Sequence, residues 1–172
     1  ADTLLSRSEI AMYAAKRQLS GALQYDAAFD SSSAQTLSLL TELRHAVEHH
    51  ELRLYLQPKV PLHGQPGLAA EALVRWQHPQ RGLVPPMQFI PFAEQTGFVR
   101  HLTLWMFEEV ARLLADPRTQ GLPLRVSVNL STRDLLDPEL SHRLADILVR
   151  HGVPASAFCL EITESAIMDD PQ

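Results

Sequence analysis

Gly67-Leu68-Ala69-Ala70-Glu71-Ala72-Leu73-Val74-Arg75-Trp76 is an apolar run that carries only two charged side chains, Glu71 and Arg75. A short apolar run of this kind reads as a strand. Side chains alternate across a strand, so Glu71, Leu73 and Arg75 share one face. Before it, Leu52-Arg53-Leu54-Tyr55-Leu56-Gln57 alternates in the same way and reads as a preceding strand. After it, Pro85 to Gly97 contains a short helix and Val99 to Ala115 a long one. Leu124 to Leu130 alternates again, Pro138 to Arg150 is helical and stops at Gly152, and Phe158 to Thr163 is a further strand. Strands alternating with helices predict an α/β fold with a mainly parallel sheet.

The N-terminal part reads differently. Residues 3–20 carry a rough apolar stripe at helical spacing, with Gly21 as the cap, and Ala22 to Tyr25 reads as a short strand. Ser31-Ser32-Ser33 has linker character, and a second helix is predicted from about Thr36 to His50.

Composition narrows the function classes. The chain has 172 residues, 45% hydrophobic and 20% charged, which is the composition of a globular protein with a real core. A net charge of -5 argues against a nucleic-acid duplex as partner, since phosphate backbones need a basic face. A small anionic ligand remains compatible if a metal ion supplies positive charge. The single cysteine, Cys159, excludes an intrachain disulfide and fits a reducing compartment such as the cytoplasm. No run has the length of a membrane span, so no membrane contact is expected from this segment, although upstream domains of a parent protein could tether it.

Three oxygen-bearing side chains interrupt apolar strands: Glu71, Asn129 and Glu161. In a parallel α/β barrel such residues converge at one mouth, and hard oxygen donors suit Mg²⁺ or Mn²⁺. The same pattern also fits strand-end polar groups satisfied by backbone or water. Arg75 is placed to grip a phosphate bidentately or to pair with a carboxylate. Gln57 and Lys59 close the first strand and could face the same mouth, with a solvated surface role equally open to Lys59. The eight histidines form no metal pattern and read as surface residues, and Cys159 reads as a buried small residue.

Here the strands match a known family. Glu71-Ala72-Leu73-Val74-Arg75-Trp76 resembles the EAL signature, and Leu54-Tyr55-Leu56-Gln57-Pro58-Lys59-Val60 resembles the strand that precedes it. Pro86-Met87-Gln88-Phe89-Ile90-Pro91 with Ala93-Glu94-Gln95-Thr96-Gly97, then Val128-Asn129-Leu130-Ser131, then Leu160-Glu161-Ile162-Thr163-Glu164-Ser165 resemble the following blocks in order. At the N-terminus, Ala11-Met12-Tyr13-Ala14-Ala15-Lys16 and Leu23-Gln24-Tyr25 resemble the last helix and strand of GGDEF domains, with Ser8 and Glu9 departing from the usual Ala-Asp. The implied organisation is a GGDEF-like remnant at 1–30, a linker at 31–36, and the N-terminal part of an EAL domain at 37–172. The implied fold is a (β/α)8 barrel of the TIM type, of which this chain would hold roughly the first half.

The resemblance implies hydrolysis of cyclic di-GMP to the linear dinucleotide in bacterial second-messenger signalling, with a divalent metal, Mg²⁺ or Mn²⁺, activating the attacking water. By position, Glu71, Asn129 and Glu161 correspond to metal ligands, Gln57, Leu73 and Arg75 to ligand-contacting residues, and Thr163 and Glu164 to the pair anchoring a neighbouring loop. The family's later blocks, a DDFG motif, a catalytic lysine, a further glutamate and a late glutamine, are not among these residues. Asp169-Asp170 precedes Pro171-Gln172 and does not match DDFG. The isolated chain is therefore expected to hold no complete catalytic set, and to be unstable alone or to associate with a second copy through an open strand edge. The alternative reading is an EAL-type module that binds cyclic di-GMP, or another protein, without catalysis.

Overall fold

The computed structural model describes residues 4, 7–8, 11–12, 15, 22–26, 39, 41–63, 67–119 and 121–162. The chain divides into two compact units, residues 1–44 and 45–172. In the first, residues 4, 7, 8, 11, 12 and 15 are helical, and the Arg7 guanidinium lies 5.0 Å from the centre of the Tyr25 ring. The strand expected at Ala22–Tyr25 is not formed. An extended segment becomes a strand only by pairing its backbone, and all strand pairing among the described residues lies in the second unit.

Helical residues 41–48 (α1) lead into β1 (Leu52–Lys59) and β2 (Leu68–His78), which carries the opening apolar run. Then come β3 (Gly82–Val84), a short 3₁₀ turn at Pro86–Gln88, α2 (Ile90–Thr96) and α3 (Val99–Ala115). The chain continues through β4 (Leu124–Leu130), α4 (Thr132–Leu135), α5 (Leu140–His151) and β5 (Phe158–Ile162). The result is a mixed α/β sheet in the order β1-β2-β4-β5, with β3 paired to the end of β2.

The sheet is less parallel than its pattern predicts. β2, β4 and β5 run parallel through helical crossovers, but β1 and β3 pair antiparallel with β2. The physical reason is connection length. A parallel return needs a crossover of about a dozen residues or more, and the chain from Lys59 to Leu68 is shorter than that. One consequence reaches the site. The end of β1 lies beside the start of β2, so Lys59 pairs with Ala69, and Gln57 pairs with Glu71.

One face of the sheet is closed by helices. On α3 the buried positions Val99, Leu102, Thr103, Met106, Phe107, Val110 and Ala111 repeat at three- and four-residue spacing, which is a single helix face. Met106, Phe107, Val110 and Ala111 meet Leu144 and Ile147 of α5 and Ala72, Val126, Val128, Leu130 and Phe158 of the sheet in one core. Phe107 and Phe158 stack with ring centres 5.0 Å apart. Burying each such side chain contributes roughly 1.5–3 kcal/mol, which is what fixes this face inward. Trp76 is fully buried, packs edge-on against Phe89 and donates its indole N–H to Glu51 Oε2 at 3.0 Å.

α5 ends as its sequence predicts. Gly152 adopts φ 65°, and the N–H of Val153 reaches Leu148 O at 3.0 Å, a left-handed cap that only glycine takes without strain. His78 departs from the expected surface placement. It is buried at 7% exposure, and its Nδ1 accepts from the N–H groups of Gln80 and Arg81, closing the turn after β2.

Candidate functional site

The opposite face of the sheet is polar. Residues paired across an antiparallel ladder, or in register across a parallel one, point the same way. The registers Gln57–Glu71, Tyr55–Leu73 and Arg53–Arg75 join β1 to β2. Glu71–Ser127 joins β2 to β4, and Ser127–Cys159 and Asn129–Glu161 join β4 to β5. Gln57, Glu71, Leu73, Arg75, Asn129 and Glu161 therefore lie on one face, the one turned away from the helices. Cys159 also falls there and is half-buried rather than enclosed, because its register partner is Ser127 on the polar side.

The sheet opens where the candidate residues sit. The ladder between β2 and β4 ends at Glu71–Ser127, although both strands continue. Just past that point the Asn129 amide Nδ2 donates to Glu71 Oε1 at 2.8 Å. Glu161 stands beside Asn129 by register. Its carboxylate accepts from the ammonium of Lys59, which also donates to Ser127 Oγ at 2.7 Å. The Lys59 hydrogen bond, followed by that of Ser127, holds the Glu161 carboxyl below the usual glutamate range against the opposing effect of burial.

The remaining predicted residues are placed as follows. Gln57 is exposed opposite Glu71, and Leu73 is half-buried opposite Tyr55. Arg75 is half-buried, donates to Val74 O at 2.8 Å, and lies 5.7 Å from the centre of the Tyr55 ring. Thr163 and Glu164 lie outside the described residues. A cleft of about 410 Å³ between the start of β1 and α3, lined by Arg53, Leu54, Trp105 and Glu109 among others, contains none of the predicted site residues.

Among the described residues no group of three His, Cys, Asp or Glu side chains is arranged to hold a metal. The candidate set differs in kind: two carboxylates, Glu71 and Glu161, flank a carboxamide. The Asn129–Glu71 contact brings two of these oxygen-bearing groups within bonding reach, and register brings the third beside them. Oxygen donors of this kind fit a hard divalent cation.

Lys59, placed by its strand position at this mouth with a surface role equally open, reaches Glu161 from β1, a partner that no local pattern carries. A second contributor, Asp134, was not singled out by sequence reasoning. Asp134 is fully buried, and its Oδ2 accepts from Ser131 N at 2.8 Å, Ser131 Oγ at 2.9 Å and Thr103 Oγ1 at 2.9 Å, pinning the loop that follows Asn129 to α3. Its Oδ1 has no hydrogen-bond partner among the described residues. The signal was present: Ser131-Thr132-Arg133-Asp134 is a capping box, whose first and fourth residues satisfy each other's backbone.

The chain is similar to known proteins. A family model described as EAL domain matches residues 40–172. The chain is 36% identical over 169 residues to the bifunctional diguanylate cyclase/cyclic di-GMP phosphodiesterase MucR of Pseudomonas aeruginosa, covering 97% of this chain and 25% of that protein. It is 34% identical over 170 residues to the cyclic di-GMP phosphodiesterase PdeR of Escherichia coli, covering 98% of this chain and 26% of that protein. The chain thus spans about a quarter of the length of these relatives. Among solved structures, the PaMucR phosphodiesterase in complex with c-di-GMP superposes with TM-score 0.70 at 38% identity, over 77% of this chain and 54% of that one. The FimX EAL domain of Pseudomonas aeruginosa bound to c-di-GMP superposes with TM-score 0.67 at 28% identity, over 74% and 51%. No helix among the described residues is long and apolar enough to cross a membrane.

Proposed function

The chain belongs to the EAL-domain family, and from that premise we propose that it forms part of a cytoplasmic, metal-dependent phosphodiesterase that hydrolyses cyclic di-GMP to its linear dinucleotide. The observation that carries the proposal is the grouping of Glu71, Asn129 and Glu161 on the open sheet face, with Asn129 bonded to Glu71 at 2.8 Å. These three residues hold a divalent cation, Mg²⁺ or Mn²⁺. When bound, that cation supplies an activated water for in-line attack on one phosphodiester. Arg75 binds a phosphate oxygen, Gln57 and Leu73 contact the dinucleotide beside it, and Thr163 and Glu164 anchor a neighbouring loop. The strands form part of a (β/α)8-like barrel whose interior is the polar face. The matched solved chains, of which this chain covers about half, support that reading. Residues 1–30 are the tail of a GGDEF-like domain, 31–36 a linker, and 37–172 the EAL part. The outer strands β1 and β5 offer edges for association with a second copy.

The test is turnover by the full-length protein that contains this chain. Cyclic di-GMP is incubated with it and Mg²⁺, beside a Glu71→Ala variant, and the linear dinucleotide is measured. Product that depends on Mg²⁺ and vanishes in the variant supports the proposal. Tight binding without product replaces it with a cyclic di-GMP receptor.

A further inference from the structure

The polar face already contains a cation. Lys59 enters from the end of β1, at the start of β2, and its ammonium joins the Ser127 hydroxyl to the Glu161 carboxylate. Both members of the ion pair are a little over one-third exposed, so the contact is open to exchange with solvent ions. Lys59 and Glu161 are far apart in sequence, and the pairing exists only because β1 runs antiparallel to β2. A parallel β1 would carry residue 59 toward the opposite end of the sheet.

Resting on the metal-site reading above, we propose that Lys59 is a positioning residue that occupies Glu161 as a built-in counter-ion and competes with the divalent cation for that carboxylate. The ammonium offsets the charge of Glu161 and stands between its carboxylate and the Ser127 hydroxyl. Binding of a divalent ion at Glu161 requires the carboxylate to exchange a Lys59 contact for the ion, with a positive charge retained nearby. That charge opposes metal entry, so Lys59 weakens metal affinity while preventing Glu161 from standing uncompensated.

The experiment measures Mn²⁺ affinity by titration calorimetry on the full-length protein, comparing wild type with Lys59→Met, Lys59→Arg and Glu161→Gln. Removing the competing charge raises Mn²⁺ affinity about tenfold in Lys59→Met, the size expected for one unit charge a few ångströms away at a partly exposed site. Lys59→Arg keeps the charge and stays near wild type, a difference that a purely structural role for the side chain would not produce. Unchanged or weaker Mn²⁺ binding in Lys59→Met overturns the inference while leaving the metal site intact. Absence of Mn²⁺ binding in the wild type overturns the metal reading itself, and this inference with it. A second measurement needs no variant to fold: the Lys59 side-chain NMR resonances of the wild type shift as Mg²⁺ is added to saturation. Resonances that stay fixed while Mg²⁺ binds overturn the competition.

Discussion

Asn129 bonds Glu71 at 2.8 Å immediately beyond the point where the backbone ladder between their strands ends. The side chains thus bridge a gap that the main chain leaves open. Replacing the amide donor by a carboxylate in Asn129→Asp sets two like charges against each other. We expect metal-free stability to fall by roughly 0.2–1 kcal/mol, the range for cross-strand charge pairs, and the melting temperature to rise more on adding Mg²⁺ than it does in the wild type. Thermal melts in EDTA and in Mg²⁺ check both halves. An equal Mg²⁺ response in the two proteins would remove residue 129 from the proposed metal site.

Arg75 tests the substrate side. It lies up the strand from Glu71 on the same face, near the Tyr55 ring. Charge-assisted hydrogen bonds to a phosphate contribute about 1.5–3 kcal/mol. Arg75→Ala in the full-length protein should therefore raise KM for cyclic di-GMP about tenfold or more, with Mn²⁺ affinity unchanged. Steady-state kinetics beside metal titration separate the two. A loss of metal affinity with KM intact would assign Arg75 to the wrong partner.

Asp134 is a prediction about stability. Its Oδ2 collects hydrogen bonds from the Ser131 backbone, the Ser131 hydroxyl and Thr103. Truncation in Asp134→Ala strands buried donors at a cost of about 1–3 kcal/mol each. A urea unfolding midpoint indistinguishable from wild type would show that the network adds nothing net.

The stacked pair Phe107 and Phe158 ties α3 to β5, and the two rings are 2% and 8% exposed. Phe107→Ala should cost about 3–5 kcal/mol through lost burial and the cavity left behind. Denaturant titration reads the loss directly, and a cost below about 1 kcal/mol would mean that the helix repacks.

The pH response at the end of α3 has a definite sign. Asp116 accepts from the Arg118 side chain and backbone N–H, which lowers its pKa from 3.8 to about 2. A depressed folded value means that the unfolded chain binds the proton more readily. The contribution to stability is present above 3.8 and is lost as pH falls toward 2. NMR titration of the Asp116 carboxyl should show the low value, with Arg118→Ala returning it toward 3.8. A wild-type value already at 3.8 would show that the pair does not persist in solution.

Much of the candidate site was legible because strand alternation is local. The two-residue period alone puts Glu71 with Arg75, and polar atoms inside apolar runs single out Asn129 and Glu161. The long helix and the Gly152 stop follow equally from spacing and from one residue's conformational freedom. The roles proposed for these residues rest on the resemblance of Glu71-Ala72-Leu73 to the family signature, which spacing could not provide. The burial of His78 was not legible, because it depends on how the turn after β2 folds back rather than on the residue's own propensity.

By itself, then, the sequence determined which residues share a strand face, the long helix Val99–Ala115 and the stop at Gly152, since neighbours within a few residues settle those questions. Only the tertiary structure decided the direction of β1, the union of Lys59 with Glu161, and the burial of Asp134 against Thr103. Connection length and the packing of α3 against the sheet set those relations. They join residues distant in the chain, and no periodicity along a single segment encodes which distant partner a side chain will meet.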